Sequence, residues 1–334
     1  MNRILLSVCI IAAQAVCSAA SATTFVVAKD GSGDFRTVQE AVNAVPDYLR
    51  DGGIDIYVKP GIYREKVIIP PTKERIHMYG DDALTTVISW DDYAARPGST
   101  GAPMGTGATG TIYFMADDFL AENISFENTA GEVGQACAAV IDADRVAFRG
   151  CRFLGNQDTI YTYDDGQRIY FRSCYIEGTT DFIFGYGTAW FEGCDIVSKR
   201  DSYITAASTL QDREFGYVFF DCAFKHAEGV SRCYLGRPWR KYARTVLIGC
   251  YLGDHIRPEG WHDWGKDYAH KTAFYAEYGN LGPGAKGKRV AWARTLSAKE
   301  ASAYTAARVL DAGAREDKNG DMIPVQWYYK VFDN

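Results

Sequence analysis

The chain has 334 residues, of which 47% are hydrophobic, 14% are aromatic and 23% are charged, and its formal net charge is −6. A net negative charge without a basic cluster excludes a nucleic-acid-binding surface. A chain of this length can form one large domain or two smaller ones, so the arrangement of its motifs has to decide the number of domains.

The amino-terminal segment has the composition of a secretory signal peptide. Arg3 precedes an apolar run from Ile4 to Ala13, and small residues follow as far as Ala22, after which we expect cleavage. A run of about 10 apolar residues is shorter than the roughly 20 that cross a bilayer, so we expect no membrane anchor. The mature protein, residues 23–334, is predicted to be exported, either to the periplasm or out of the cell.

A short helix is predicted near the start of the mature chain. Thr37-Val38-Gln39-Glu40 is a capping box, and apolar residues at helical spacing follow it as far as Val45. Pro46 ends this helix. Farther along, the stretch from Pro97 to Gly110 is rich in glycine and threonine and is too long for a tight turn, so we expect a loop beside the binding face.

Cysteine marks a repeated phrase between residues 148 and 252. In each copy a cysteine lies three residues after one large apolar residue and two residues before another. The copies recur at intervals of about 20 to 28 residues, and units this short cannot bury an apolar face alone, so they must stack on their neighbours. The five copies are Phe148–Phe153, Phe171–Ile176, Phe191–Ile196, Phe219–Phe224 and Leu247–Leu252.

We interpret each phrase as one short strand with apolar side chains at every second position. Strands of fixed register, joined by turns of variable length, favour a parallel β-helix over a helical solenoid. Two of the nine cysteines lie in the signal peptide, which leaves seven, an odd number. We expect these seven to be buried free thiols stacked inside the β-helix. One disulfide is the alternative, and no Cys-x-x-Cys pair indicates a metal site.

A second capping box, Ser297-Ala298-Lys299-Glu300, predicts a helix that runs through Tyr304 towards Leu310. A β-helix has open ends that must be covered, and we expect this helix and the one at Thr37 to cover them. No linker or change in composition separates the two. The sequence therefore predicts one all-β domain, a single parallel β-helix with short capping helices at the N- and C-terminal ends.

Two aspartates, Asp158 and Asp181, carry the candidate chemistry. Gln135 lies upstream of them, and Arg237 lies downstream. A carboxylate that attacks an acyl carbon needs a protonated carboxyl to release the alcohol, neutral donors for the oxyanion, and a cation that keeps the nucleophile ionised. These residues supply a candidate for each role, so the pattern indicates an esterase that uses aspartate in place of serine.

Eight phrases, in order, carry a resemblance to a known family: Asp30–Phe35, Gly61–Glu65, Phe126–Gly131, Gln135–Ala136, Gly155–Thr159, Asp181–Gly185, Leu235–Trp239 and Gly260–Trp261. Along nearly all of residues 23–334 the chain resembles the pectin methylesterases, also called pectinesterases. The resemblance implies a right-handed parallel β-helix, hydrolysis of galacturonate methyl esters in pectin, and no metal or organic cofactor. We expect a monomer that binds pectin and neither nucleic acid nor a membrane.

By this resemblance Asp181 is the nucleophile, and Asp158 is the acid that later acts as a base. We expect Arg237 to lower the pKa of Asp181 and to orient its carboxylate. Asp158 is expected to keep its proton because it lies in a drier place or beside the charge of Asp181. Gln135 and Gln157 are the expected oxyanion donors. The alternatives are structural: an aspartate can cap a turn, and a glutamine can be a stacked amide.

Aromatic residues beside the catalytic phrases are candidates for stacking on sugar rings, and one threonine matches a threonine near the substrate groove of the family. Core packing is the alternative for the aromatic residues, and an ordinary strand position is the alternative for the threonine. Together with two of the catalytic residues, the expected substrate-binding set is Thr111, Gln135, Tyr161, Phe184, Arg237, Trp239 and Trp261.

Rival functions lack their motifs in this sequence. Polygalacturonases are expected to show Asn-Thr-Asp and Gly-His-Gly phrases, and serine hydrolases a Gly-x-Ser-x-Gly phrase, all of which are absent. A lyase needs a calcium site, but the calcium-loop-like segment 317–321 is followed by Tyr328 where glutamate is required. The alternative that stays open is a carbohydrate-binding or altered-ester relative without pectin demethylation.

One phrase departs from the family. Residues 135–140 read Gln-Ala-Cys-Ala-Ala-Val, whereas relatives usually read Gln-Ala-Val-Ala-Leu-Arg. The smaller side chains and the missing arginine leave open how the chain packs behind Gln135.

Overall fold

The computed structural model describes residues 23–49, 52–311, 314–316, 322–324 and 327–328. The predicted signal peptide and the calcium-loop-like segment 317–321 lie outside the described residues. The helices of the described part are short: α1 (Val38–Ala44), α2 (Ala269–Thr272), α3 (Ala298–Ala301), α4 (Ala306–Val309), and two 3-10 helices at Thr106–Ala108 and Pro283–Lys286. None of the helices described is long and apolar enough to cross a membrane.

Strands make up most of the described structure. In chain order the first half are β1 (Thr23–Val27), β2 (Ile54–Val58), β3 (Gly61–Arg64), β4 (Val67–Ile69), β5 (Ile76–Tyr79), β6 (Thr86–Trp90), β7 (Ile112–Phe114), β8 (Phe119–Glu122), β9 (Ser125–Asn128), β10 (Ala139–Ile141), β11 (Val146–Arg149), β12 (Arg152–Leu154), β13 (Ile160–Thr162) and β14 (Arg168–Arg172). The second half are β15 (Tyr175–Gly178), β16 (Ile183–Gly185), β17 (Thr188–Glu192), β18 (Asp195–Ser198), β19 (Tyr203–Ala207), β20 (Tyr217–Phe220), β21 (Ala223–His226), β22 (Tyr234–Gly236), β23 (Arg244–Ile248), β24 (Tyr251–Leu252), β25 (Phe274–Tyr278), β26 (Arg294–Thr295), β27 (Ala314–Glu316) and β28 (Met322–Pro324).

Three long parallel sheets form a solenoid, and each central turn of the chain, here called a coil, adds one strand to every sheet. Sheet 1 has the order β1-β2-β5-β8-β11-β14-β17-β20-β23-β25-β26. Sheet 2 has the order β24-β21-β18-β15-β12-β9-β6-β3, and sheet 3 has the order β22-β19-β16-β13-β10-β7-β4. Among the strands that the structure describes, only β27 and β28 pair separately, and they are antiparallel. The predicted parallel β-helix is therefore confirmed.

The cysteine phrases are not single strands, and this part of the prediction is wrong. In each copy a strand of sheet 1 ends one residue before a left-handed residue, the cysteine follows, and a strand of sheet 2 begins. A left-handed residue turns the chain sharply, which period-two alternation does not reveal. These corner residues are Gly150 (φ 59°), Ser173 (φ 51°), Gly193 (φ 59°), Asp221 (φ 52°) and Gly249 (φ 65°).

The side chains of the phrases fill the interior of the solenoid. The rings of Phe148, Phe171, Phe191 and Phe219 form one column, with centroids 5.0, 4.5 and 4.4 Å apart. All seven cysteines of residues 23–334 are free and buried, as predicted. Stacking of identical positions follows from the parallel register, because each coil places the same residue type over the one before.

Helix α1 lies at the amino-terminal end of the solenoid, as predicted. The side chain of Thr37 accepts a hydrogen bond from the backbone of Glu40, and the Glu40 side chain accepts one from the backbone of Thr37, which completes the capping box. Glu65 adds two further acceptors, each 2.9 Å from the amides of Val38 and Gln39. The apolar face of α1 packs into the core beside β1, β2 and β4.

The predicted carboxy-terminal helix is wrong in both length and place. The capping box at Ser297 is present, but α3 ends at Ala301, and the Thr305 side chain caps a separate helix, α4. Buried Val309 and Leu310 pack with outward-facing residues of sheet 1, so these helices cover the side of the solenoid. At the carboxy-terminal end, Ala285, Val290 and Trp292 pack against the core instead.

Candidate active site

The two aspartates lie at equivalent positions of adjacent coils on sheet 3. Asp158 precedes β13 by two residues, Asp181 precedes β16 by two, and β13 pairs with β16 in the register Ile160↔Ile183. Neighbouring strands are about 4.8 Å apart, so the register stacks one aspartate over the other. Both residues are left-handed, with φ of 67° and 49°. Aspartate tolerates this conformation better than most residues, and such backbone strain is concentrated at functional sites.

Gln135 and Gln157 lie next to each other on adjacent coils. They form an isolated parallel bridge, and the amide of Ala136 donates to the Gln157 carbonyl oxygen at 3.1 Å. Both side chains are half-buried and line the same cleft as Asp158. The arrangement places two neutral amide side chains on adjacent coils, beside a carboxyl group.

Arg237 follows β22 and reaches back across one coil to Asp181. Its Nε and Nη2 atoms lie 2.9 and 2.7 Å from the two carboxylate oxygens, which is a bidentate ion pair. The guanidinium also lies 3.8 Å from the ring centroid of Tyr203 and 3.7 Å from that of Trp264. Because two rings and two hydrogen bonds hold the guanidinium, the Asp181 carboxylate is held in one orientation.

A cleft of about 400 Å³ opens over these residues. Its wall includes Thr106 and Gly107 of the Pro97–Gly110 loop, which places that loop beside the site as expected. The rings of Tyr161 and Phe184 stack with centroids 4.2 Å apart. The lining residues are Thr106, Gly107, Gln135, Gln157, Asp158, Tyr161, Tyr163, Asp181, Phe184, Ala206, Arg237, Trp239 and Trp264.

The sequence profile described as Pectinesterase matches residues 24–313. The chain belongs to the pectinesterase family. Pectinesterase 5 of Arabidopsis thaliana is 40% identical over 303 residues, which are 86% of this chain and 50% of that protein. Pectinesterase 31 of the same plant is 40% identical over 285 residues, which are 83% of this chain and 89% of that protein.

The solved structure of a pectin methylesterase from carrot is also similar. It superimposes with a TM-score of 0.81 and 33% sequence identity, covering 88% of this chain and 95% of that chain. This similarity confirms the predicted right-handed hand of the β-helix. The chain spans about half the length of several curated pectinesterases that it matches.

In this member of the pectinesterase family, the surroundings of the two carboxyl groups differ. Burial raises the pKa of Asp158 well above its usual value, and the charge of Asp181 raises it further, against a smaller opposing effect of Arg237. Burial also raises the pKa of Asp181, although its hydrogen bonds to Arg237 oppose that rise. Arg237 therefore lowers the pKa of Asp181, as predicted, but burial raises it by more, so the net shift is upward.

Two predicted substrate-binding residues do not reach the cleft. Thr111 is fully buried, and its hydroxyl donates to the Glu127 carbonyl oxygen at 2.9 Å. Trp261 is 1% exposed and packs on Tyr275, while its Nε1 donates to Glu277 at 3.1 Å. Both side chains stabilise the solenoid, so neither can contact a sugar.

The sequence interpretation missed two aromatic residues of the cleft, Tyr163 and Trp264, and of these Trp264 contacts Arg237. Trp264 lies three residues after Trp261, inside a loop, and its ring also packs against the small apolar cluster that includes Tyr161 and Phe184. Lys266 supports the same region, since its Nζ donates to the carbonyl oxygens of Pro238 and Trp239 at 3.0 and 2.8 Å. The only sequence signal was a second tryptophan close to a family phrase, and spacing alone could not choose between the two.

Asn128 supports the backbone behind Gln135, where the sequence departs from the family phrase. Its buried side-chain amide donates to the carbonyl oxygens of Asp92, Thr109 and Cys137, at 2.9, 3.2 and 3.0 Å. The Cys137 amide in turn donates to the Thr109 hydroxyl at 3.0 Å. These hydrogen bonds fix the backbone that carries Gln135, so the smaller side chains that follow do not leave it unsupported.

Proposed function

We propose that this chain hydrolyses methyl esters of galacturonate in pectin, releasing methanol and leaving pectate. The observation that carries the proposal is the placement of Asp158 and Asp181 in one cleft, where Arg237 holds Asp181 and burial raises the pKa of Asp158 well above its usual value. The names of the family and of its similar structures, pectinesterase and pectin methylesterase, support the choice of substrate.

In the first half of the proposed cycle, an oxygen of Asp181 attacks the ester carbonyl carbon. The developing oxyanion accepts hydrogen bonds from the side-chain amides of Gln135 and Gln157. These amides carry no charge, so they stabilise the oxyanion without retaining the carboxylate product. As the ester C–O bond breaks, Asp158 donates its proton to the methoxy oxygen, and methanol leaves. An anhydride between Asp181 and the acyl group remains.

In the second half of the cycle, water hydrolyses the anhydride. Asp158, now ionised, removes a proton from water, and the water oxygen attacks the acyl carbon that came from the substrate. The bond to Asp181 breaks, which restores its carboxylate and releases the galacturonic acid group. The proton taken from water stays on Asp158 and restores it for the next cycle, because burial makes a charged carboxylate unfavourable there. The proposed chemistry uses no metal and no organic cofactor.

The aromatic surface of the cleft supports a sugar polymer as the partner. Trp239 is half-buried at the cleft wall, and Tyr161 and Phe184 lie 6.2 and 5.8 Å from it, measured between ring centroids. Flat aromatic rings that line the cleft can pack on the apolar faces of sugar rings. We also propose that residues 23–334 are exported, since residues 1–22 have the pattern of a signal peptide. We propose that the exported protein is a monomer that binds neither nucleic acid nor a membrane.

The test of this function measures methanol, acid and polymer length together on highly methylated pectin. We expect methanol and acid to appear in equal amounts while the chain length stays constant. Shortening of the polymer would indicate a lyase or a glycoside hydrolase. Binding to pectin without release of methanol would indicate the carbohydrate-binding alternative, and release of another acid from a different ester would indicate an altered-ester enzyme.

Replacing Arg237 with lysine is expected to lower kcat by about 10²-fold, because one ammonium cannot hold both carboxylate oxygens and small misplacements of a reacting group are costly. Lysine makes fewer hydrogen bonds to the carboxylate than arginine, so it opposes the effect of burial less, and the pKa of Asp181 rises. Since Asp181 must be ionised to attack, the acid limb of the pH–kcat profile should move to higher pH.

The matched control for Arg237→Lys is Arg213→Lys. Arg213 makes a similar bidentate pair with Asp165, at 2.7 and 2.9 Å, outside the catalytic cleft. This control variant should keep the activity and pH profile of the unmodified protein. Unchanged turnover and an unshifted acid limb in Arg237→Lys would show that Arg237 does not position Asp181.

A further inference from the structure

A second group of ionisable side chains lies at the ends of two neighbouring strands of sheet 2. His226 is the last residue of β21, and Asp254 and His255 follow β24 one coil later. The strands pair in the register Ala223↔Tyr251, so His226 and Asp254 occupy equivalent positions of adjacent coils. Ring nitrogens and a carboxylate oxygen of the three residues all lie within 4.8 Å of one another. None of the three lines the catalytic cleft.

His226 presents Nε2 to Asp254 while its Nδ1 faces a backbone carbonyl oxygen. Its Nδ1 lies 2.8 Å from the Ala227 carbonyl oxygen, which can only accept, so Nδ1 carries a hydrogen. Its Nε2 lies 3.0 Å from Oδ1 of Asp254. In a neutral imidazole with hydrogen on Nδ1, Nε2 presents a lone pair, which the carboxylate oxygen would repel. Either a proton or a metal ion between the two atoms removes this repulsion.

His255 supplies the second, independent observation. Its side chain is 0% exposed, and neither ring nitrogen has a hydrogen-bond partner among the residues that the structure describes. Its ring centroid lies 4.7 Å from that of His226. Gly253 leaves room for the ring, because a Cβ there would lie 2.7 Å from Nδ1. Buried polar groups nearly always have a partner, so an unpaired imidazole beside His226 indicates a missing ligand.

We propose that His226, Asp254 and His255 bind one divalent transition-metal ion, with Zn²⁺ as the representative. Two imidazole nitrogens and one carboxylate oxygen are ligands that zinc prefers, and water can take the fourth position. Ca²⁺ and Mg²⁺ prefer sites made of oxygen atoms only. The hydrogen bond from His226 Nδ1 to the Ala227 carbonyl oxygen is the contact that orients a metal-binding histidine and directs Nε2 at the ion.

Two of the three side chains are exposed enough to turn towards an ion. Zinc–ligand distances of about 2.0–2.2 Å require the three atoms to approach more closely than their present spacing. His226 and Asp254 have 32% and 75% of their side-chain surface exposed, so both can rotate. The bound ion would join the coil of β21 to the segment after β24. That segment bridges to β22, the strand before Arg237, through Gly236↔Trp261, so metal binding should stabilise this part of the solenoid.

The test uses the untagged full chain, freed of metal with a chelator and titrated with ZnCl₂ by calorimetry. We expect one Zn²⁺ per chain. His226→Gln and Asp254→Asn change exposed side chains, and each should weaken Zn²⁺ binding by at least about tenfold. His270→Gln is the matched control, because His270 lies 2.9 Å from Asp263 in another exposed histidine–aspartate pair. This control should bind Zn²⁺ like the unmodified chain.

Thermal unfolding gives a second readout of the same proposal. Zn²⁺ should raise the unfolding temperature of the unmodified chain and of His270→Gln, and it should raise that of His226→Gln much less. Absence of Zn²⁺ binding by the unmodified chain would mean that a proton bridges His226 and Asp254, and the proposal would be wrong. Unweakened binding by His226→Gln, or binding lost in His270→Gln, would place the ion elsewhere and would also overturn it.

Discussion

Replacing Asp181 with asparagine is expected to lower kcat for methanol release from methylated polygalacturonate by at least about 10⁴-fold. Asparagine has the same shape and can still accept a hydrogen bond from Arg237, which now makes contacts of 2.9 and 2.7 Å with the carboxylate. It cannot form the acyl intermediate, because its neutral amide is a poor nucleophile. Methanol release at saturating substrate measures the loss, and circular dichroism shows whether the variant is folded.

The control for Asp181→Asn is Asp195→Asn. Asp195 lies on sheet 2, outside the cleft, and forms a partly exposed ion pair with Lys225 at 2.7 Å. Its replacement should leave methanol release unchanged, because such pairs contribute little and none of its contacts reaches the cleft. Full activity of a folded Asp181→Asn variant would exclude Asp181 as the nucleophile.

Replacing Asp158 with asparagine is expected to lower kcat/KM by about 10²–10⁴-fold, the range for loss of a general acid. The loss should depend on the alcohol that leaves. A trifluoroethyl ester releases a more acidic alcohol, which needs less help from a proton donor, so the variant should lose less activity on it than on the methyl ester. Equal losses on both esters would contradict the role of Asp158 as the acid.

The same variant should be more stable than the unmodified chain at high pH. Burial raises the folded-state pKa of Asp158 above its unfolded value. The carboxyl group therefore contributes stability below its unfolded pKa, and that contribution disappears as the pH rises through the folded pKa. Asparagine avoids the buried charge, so calorimetry should show a higher unfolding temperature for Asp158→Asn at high pH, with the difference shrinking as the pH falls. A lower unfolding temperature at high pH would contradict the assigned burial effect.

The parallel β-helix could be predicted from the sequence because each coil repeats the same short pattern of residues. Apolar residues recur at fixed distances from each cysteine, and only stacking of the copies buries them all. The position of α1 was also predictable, since Thr37 and Glu40 cap it through contacts within one turn. Both predictions depend on interactions between residues that are close in sequence, or on a pattern repeated many times.

Features that depend on contacts between distant residues could not be predicted from sequence patterns. Ser173 and Asp221 have φ near 50° at the corners although neither is glycine, and their amides donate to carbonyl oxygens of the next coil. Trp261 and Trp264 lie in one short loop, yet Glu277 and Tyr275 fix the first in the core while Arg237 holds the second at the cleft. The balance between burial and Arg237 at Asp181 likewise depends on how deeply the coil is covered.

The central claim is that Asp158 keeps its proton while Asp181 is ionised beside Arg237. Infrared difference spectroscopy at the pH of maximal activity tests it most directly, because a protonated carboxyl group has a C=O stretch distinct from that of a carboxylate. We predict a signal from a buried protonated carboxyl group in the unmodified chain and its disappearance in Asp158→Asn. Persistence of that signal in Asp158→Asn, with Asp181 as the remaining buried carboxyl group of the cleft, would contradict the assignment.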